Sequence, residues 1–137
     1  WVPQETYYHA VENCGFIPQT LCDDGDPLDV LILSNHKFQP GTIVYVRPIC
    51  YMDMTDEKGR DEKLLAVADA EPYFKDIITM EDVSKHKLTE IKEFFTTYKN
   101  LEKDKWTSID EWNDTEQALK LIERTHKKYK ESVRTYV

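Results

Sequence analysis

The spacing of apolar residues changes once along the chain, and this change most constrains the fold. In the first half, short apolar and β-branched runs alternate with Pro and Gly, a pattern typical of strands. The predicted strands span residues 15–20, 27–33, 41–47 and 64–68. In the second half, apolar residues recur at helical spacing over 84–98 and 114–133, which predicts two helices joined by a polar connector over 99–112. The predicted class is therefore α+β, with a small curled sheet and two C-terminal helices packed outside it.

Length and composition predict one folded domain over residues 1–137. Apolar residues make up 40% of the chain, which is enough for a hydrophobic core. The longest apolar runs are far too short to cross a bilayer, so we expect no membrane association. Acidic residues outnumber basic ones by 26 to 18, and the net charge of −8 disfavours nucleic acid as a partner. The odd set of Cys14, Cys22 and Cys50 contains no CxxC motif, which favours a reducing, cytoplasmic location.

Four carboxylates crowd into the seven residues 23–29, Asp-Asp-Gly-Asp-Pro-Leu-Asp, next to an apolar run. Clustered carboxylates raise one another's pKa unless a cation neutralises them, and Mg²⁺ is the usual partner of such oxygen donors. The segment therefore indicates a magnesium site, and a solvated Asp-rich turn is the simple alternative. An EF-hand is excluded because Leu28, Asp29 and Asn35 stand where a calcium loop needs an oxygen ligand, a glycine and a bidentate glutamate.

A second acidic pair, Asp56 and Asp61, flanks a polar turn between two strand-like runs. If these runs pair as a hairpin, both carboxylates lie at one end of the sheet, and the two acidic segments supply ligands for more than one metal ion. Lys63 then lies where an anionic substrate would bind. Further along, Tyr98 and Lys99 place a hydroxyl and an ammonium side by side at the end of a predicted helix. Considered alone, each of these features has a simple structural explanation. Hairpin tips are often acidic, and the helix dipole favours a lysine in the last turn of a helix.

Four stretches of the sequence, in their order and spacing, resemble the family I soluble inorganic pyrophosphatases. They are Gly15-Phe16-Ile17-Pro18-Gln19-Thr20-Leu21, Asp24-Gly25-Asp26-Pro27-Leu28-Asp29-Val30, Met54-Thr55-Asp56-Glu57 continuing to Asp61-Glu62-Lys63, and Phe94-Phe95 continuing to Tyr98-Lys99. The resemblance implies a small, highly twisted β-barrel of the OB type with helices packed outside it. It also implies hydrolysis of pyrophosphate to two phosphates with Mg²⁺ as the cofactor.

The same resemblance assigns roles to individual residues. Asp26 is the implied catalytic base, which orients a metal-bound water for attack on one phosphorus. The implied Mg²⁺ ligands are Asp24, Asp29, Asp56 and Asp61. The implied ligands of the phosphate oxygens are Lys63, Tyr98 and Lys99. Several Mg²⁺ ions per site and a homo-oligomer, either hexamer or dimer, are implied as well.

Two departures from the family pattern define the alternative function. Cys14 stands before Gly15 where the family carries a tyrosine, and a thiol cannot donate to phosphate in the same way. We also expect that the chain lacks the family's leading strands, which supply further cationic and acidic side chains to the site. The alternative is therefore a catalytically impaired or inactive pyrophosphatase-like protein that binds metal.

Overall fold

One sheet and two helices organise the part of the chain that the computed structural model describes. The described backbone covers residues 13–56, 59–100 and 107–134, and the described side chains cover 13–55, 59–96 and 111–133. The strands are β1 (Cys14–Ile17), β2 (Leu28–Leu33), β3 (Val46–Asp56), β4 (Gly59–Ala68) and β5 (Thr107–Asn113). The helices are α1 (Lys85–Asn100) and α2 (Thr115–Arg134). Two short 3₁₀ turns, Pro72–Phe74 and Met80–Asp82, lead into α1.

The strands lie in the order β1-β2-β4-β3-β5, so β4 pairs with β2 although β3 comes between them in sequence. This β2–β4 pair is parallel, and it places Asp29 opposite Lys63. The other pairs are antiparallel. In the β3–β4 hairpin, Asp56 pairs with Gly59, whose φ of +116° suits a residue without a side chain. The predicted hairpin is therefore confirmed.

The two faces of the sheet carry separate cores. The core on the α1 side includes Leu31, Met52, Leu65, Ile91 and Phe95. The core on the α2 side includes Val30, Tyr51, Leu64, Ala118 and Leu121. Because side chains alternate between the faces of a strand, Asp61 and Lys63 lie on the α1 face with Leu65, and Glu62 lies on the α2 face with Leu64.

The predicted α+β class, with a barrel-like sheet and two helices outside it, is confirmed. The sheet is open over the described residues, where β1 and β5 form its two edges. Cys14, Cys22 and Cys50 are all free thiols. In the described part of the chain, neither helix is long and apolar enough to cross a membrane.

The structure corrects several predicted strands. The strand predicted over 15–20 ends at Ile17, and the strand predicted over 64–68 begins at Gly59. The strand predicted over 41–47 begins only at Val46 and continues to Asp56, because the residues that read as a polar turn extend the hairpin instead. The predicted connector contains β5, which pairs with β3 at the edge of the sheet. An edge strand needs only one neighbour and tolerates polar side chains, so its sequence lacks the apolar alternation of a central strand. Trp112 anchors it by donating from Nε1 to the Leu88 carbonyl at 3.3 Å.

Candidate active site

Lys63 is the centre of the candidate site. Its Nζ donates to Oδ2 of Asp29 and lies 3.0 Å from Oδ2 of Asp61. The parallel register of β2 and β4 places Asp29 directly opposite Lys63, and Asp61 lies two residues earlier on the same face of β4. The predicted convergence of Asp29, Asp61 and Lys63 is therefore observed.

Burial intensifies the electrostatics of this group. The side chains of Lys63 and Asp61 are only 13% and 11% exposed. Burial by itself lowers the pKa of Lys63, but the carboxylates of Asp29 and Asp61 outweigh it and raise that pKa above its usual value. Burial raises the pKa of Asp61 to about 6, the Lys63 ammonium opposes this rise, and the Asp29 and Asp24 carboxylates add to it. The site is short of positive charge even with the lysine in place.

Asp24 and Asp26 lie in a tight turn that leads into β2. The backbone N–H of Asp26 donates to Oδ1 of Asp24 at 3.0 Å, and its carbonyl accepts from the N–H of Cys22 at 2.8 Å. Gly25, with a φ of +88°, makes the turn possible. Burial raises the pKa of Asp24, and the carboxylates of Asp26 and Asp29 raise it further against the hydrogen bond from the Asp26 N–H. The segment is thus an Asp-rich turn, as the simple alternative predicted, and it also lies beside the Lys63 group.

Two neighbours of Lys63 complete the described site. The Phe95 ring of α1 covers the ammonium, with 5.6 Å between Nζ and the ring centroid, a cation–π distance. Sequence reasoning missed this role, although Phe95 belongs to the apolar stripe of α1. Cys14 lies in β1, and burial raises its pKa to about 11, with opposing smaller effects of Lys63 and Asp29. It is therefore a neutral thiol near the site.

Three predicted site residues have side chains outside the described ranges. The backbone of Asp56 ends β3 opposite Gly59, at the same end of β4 as Asp61. The backbone of Tyr98 and Lys99 lies in α1, one turn beyond Phe95. The backbone is therefore compatible with the predicted grouping, and the positions of these side chains stay predictions.

The described donors suit a hard divalent cation by their chemistry. Asp24, Asp29 and Asp61 offer carboxylate oxygens, the ligands that Mg²⁺ prefers, in a setting with excess negative charge. Among the described side chains, no three His, Cys, Asp or Glu groups converge closely enough to enclose a metal ion. The Lys63 ammonium bonds to both Asp29 and Asp61 and neutralises part of their charge.

The fold and site define an α+β protein with a carboxylate-rich, lysine-centred site at one end of an open sheet. Comparison with known proteins gives the family. Residues 3–130 match the family model described as inorganic pyrophosphatase, and the chain belongs to that family.

Individual relatives agree with this assignment. The chain is 46% identical over 116 residues to the inorganic pyrophosphatase of Nostoc sp., covering 85% of this chain and 68% of that protein. A solved pyrophosphatase from Helicobacter pylori has a TM-score of 0.82 at 42% identity, covering 87% of this chain and 71% of that one. The structure from Thermus thermophilus has a TM-score of 0.85 at 39% identity, covering 94% and 74%. The expected family, with its OB-type fold, is confirmed.

Proposed function

We propose that this chain hydrolyses inorganic pyrophosphate to two phosphates in a Mg²⁺-dependent reaction. One observation carries the proposal: in a member of this family, the buried ammonium of Lys63 contacts the carboxylates of both Asp29 and Asp61 at the end of the sheet. Oxygen donors for a divalent cation thus lie beside a cation that suits a phosphate. This combination is what phosphoryl transfer requires of a protein.

The proposed metal ligands are the carboxylates of Asp24, Asp29, Asp56 and Asp61. The three with described side chains fit Mg²⁺ by their oxygen chemistry and by the negative charge they share. When bound, Mg²⁺ neutralises phosphate charge and makes the attacking water more acidic. An acidic protein binds a highly charged anion in this way without a basic surface.

The proposed chemistry needs one base and several donors. Asp26, with an exposed carboxylate one residue beyond Gly25, orients the water and accepts its proton. The water oxygen forms a bond to one phosphorus as the bridging P–O bond breaks, and the electron pair leaves with the second phosphate. Lys63, Tyr98 and Lys99 hold the phosphate oxygens and stabilise the charge that develops on them.

The proposal extends to the organisation of the protein. We propose that residues 1–137 form a single pyrophosphatase domain, that the chain forms a homo-oligomer, either hexamer or dimer, and that it works in the cytoplasm. Three free thiols support the location, because unpaired cysteines are usual in reducing compartments. No observation on the described residues favours a metal-binding protein without activity.

The test is phosphate release from pyrophosphate by the 137-residue chain in millimolar Mg²⁺, with an EDTA-treated sample as the blank. Asp26→Asn removes the proposed base while leaving the proposed metal ligands in place. We expect it to lower kcat by about 10²-fold or more, the usual contribution of a general base, and to keep the Mg²⁺-dependent rise in Tm.

Asp76→Asn is the matched control, because it neutralises an exposed carboxylate outside the site. It should leave both kcat and the Mg²⁺ response unchanged. A wild-type chain that binds Mg²⁺ and releases no phosphate contradicts the proposed activity and favours the metal-binding alternative. Wild-type kcat in Asp26→Asn contradicts the assignment of the base.

A further inference from the structure

Glu62 is a buried carboxylate that the proposed reaction does not use. It lies in β4 between Asp61 and Lys63, with its side chain on the opposite face and only 3% exposed. Its Oε1 accepts from Arg124 of α2 at 3.1 Å, and its Oε2 has no hydrogen-bond partner among the described residues. An apolar residue would fill this position without the cost of burying a charge, so stability alone does not account for the carboxylate.

The same region of α2 also holds the Asp-rich turn. The N–H of Leu21 donates to the carbonyl of Thr125 at 3.0 Å, and Nδ1 of His126 lies 2.7 Å from the carbonyl oxygen of Gln19. One turn further, Nζ of Lys128 donates to Oδ1 of Asp23 at 2.6 Å. All three contacts hold residues that precede Asp24 in the chain, and Asp23 is its immediate neighbour.

Residues 124–128 of α2 therefore contact both acid-bearing segments, yet they bond to none of the proposed site residues in the described structure. One contact fixes the strand that carries Asp61 and Lys63. The others fix the turn that carries Asp24. The pairing of β2 with β4 joins the two segments directly, and a helix that bonds to both of them provides a second connection, on the side of the Asp-rich turn that lies before β2.

We propose that Arg124 and Glu62 are positioning residues, which set β4 against the Asp-rich turn so that Asp24 and Asp61 bind the same metal ions. Glu62 acts through the backbone of its two neighbours, because fixing one side chain of a pleated strand fixes the direction of the next ones. This inference rests on the proposed function for the identity of the metal ligands. The contacts that support it all lie among the described residues.

The experiment compares Arg124→Met with two control variants. Each chain is titrated with Mg²⁺ to give the dissociation constant, and the metal-free Tm and the kcat and KM for pyrophosphate are also measured. Lys120→Met removes a cation from the same helix, where Lys120 pairs with Glu116 in solvent. Ile49→Val weakens the fully buried core on the α1 side. It keeps the backbone carbonyl that accepts from Thr115 of α2, and it leaves the Glu62–Arg124 ion pair in place.

We expect Arg124→Met to raise the Mg²⁺ dissociation constant and to lower kcat, each about tenfold. Lys120→Met should match the wild type in both. Ile49→Val should lower Tm and leave the Mg²⁺ dissociation constant unchanged. Arg124→Lys, which keeps the charge, should bind Mg²⁺ more tightly than Arg124→Met and less tightly than the wild type.

Wild-type Mg²⁺ affinity in Arg124→Met overturns the inference, and so does a loss of affinity in Ile49→Val as large as that in Arg124→Met. A wild-type chain that binds no Mg²⁺ overturns it too. If the wild-type chain binds Mg²⁺ but releases no phosphate, the proposed activity fails, and the order of the dissociation constants still decides the role of Arg124.

Discussion

Carboxylates on the two faces of the sheet differ in how fully cations neutralise their charge. On the α1 side, the acidic site consists of Asp24, Asp29 and Asp61 around the single ammonium of Lys63. On the α2 side, each of three carboxylates bonds to a cation of its own; these pairs, the paired cluster, are Asp23–Lys128, Asp53–Arg60 and Glu62–Arg124. The two groups meet in β4, where Asp61 and Glu62 are consecutive.

Charge balance, rather than the number of acids, distinguishes the acidic site from the paired cluster. Three carboxylates against one ammonium leave an excess of negative charge, which an external cation can neutralise. The paired cluster has no such excess. Two of its pairs join α2 to the sheet and to the Asp-rich turn, and the third, Asp53–Arg60, joins β3 to β4. Removing one cation from each face of the sheet tests this difference.

The largest effect is expected for Lys63→Met on the acidic site. The substitution leaves Asp29 and Asp61 without their shared cation, and breaking such a buried pair costs about 3 kcal/mol of folding free energy. Without metal, Tm should therefore fall by about 10 °C. Mg²⁺ should bind more tightly than to the wild type, because no ammonium competes for the carboxylates, while hydrolysis falls about 10²-fold. Calorimetry with and without Mg²⁺, together with phosphate release, measures each quantity.

A Mg²⁺-dependent rise in Tm smaller than that of the wild type would show that Lys63 helps to hold the metal instead of competing with it. That result would remove the contrast between the acidic site and the paired cluster.

A smaller effect is expected for Arg60→Met, the equivalent change in the paired cluster. Arg60 is about half exposed, its NH2 lies 3.2 Å from Oδ1 of Asp53, and Asp53 keeps a second contact at 3.4 Å from Asn113. An ion pair of this kind contributes about 1 kcal/mol at most, so Tm should fall by a few degrees. Mg²⁺ affinity should not change. A tighter Mg²⁺ affinity in this variant, measured by the same titration, would contradict the separation of the two faces.

The smallest effect is expected where a carboxylate is balanced by the backbone instead of a cation. Asp82 accepts from the N–H groups of Ile78 and Thr79, both at 2.9 Å, and these bonds lower its pKa. A lowered folded-state pKa means that the stabilisation is present above the ordinary value of 3.8 and disappears as the pH falls through the folded-state value. Asp82→Asn should thus lower Tm at pH 7, by less than Arg60→Met does. The difference from wild type should shrink below pH 3.8, and thermal scans in EDTA across this range test it; a difference that grows would reverse the sign.

Much of the fold could be predicted because local sequence patterns specify it. The two helices were predictable from apolar spacing, and the observed α1 and α2 differ from the predicted 84–98 and 114–133 by at most two residues at either end. The grouping of Asp29 with Asp61 and Lys63 rested on the family resemblance, because the sequence patterns did not predict that β2 pairs with β4. The β3–β4 hairpin, which brings the backbone of Asp56 and Asp61 to one end of the sheet, was predictable. The polar strand β5 was not, since pairing with β3 is a tertiary event that overrides its weak local preference.

Other parts of the site carry no local signal. Phe95 is one of several apolar residues in α1, and only the packing of the helix on the sheet brings its ring to Lys63. Glu62 looks like a surface acid in an alternating strand, and only the position of α2 makes it buried and paired with Arg124. Sequence periodicity reveals which face a residue occupies, but it does not reveal which helix covers that face.

The parallel pairing of β2 with β4 also has a kinetic consequence. Asp29 and Lys63 are 34 residues apart, and they meet only after the intervening chain has closed. The β3–β4 hairpin, by contrast, joins strands that are neighbours in sequence. Because local contacts form at a smaller entropic cost than distant ones, the hairpin is favoured to form early and the β2–β4 pair late. The capacity to bind metal should then arise near the end of folding, when nearly all of the molecule is already in place.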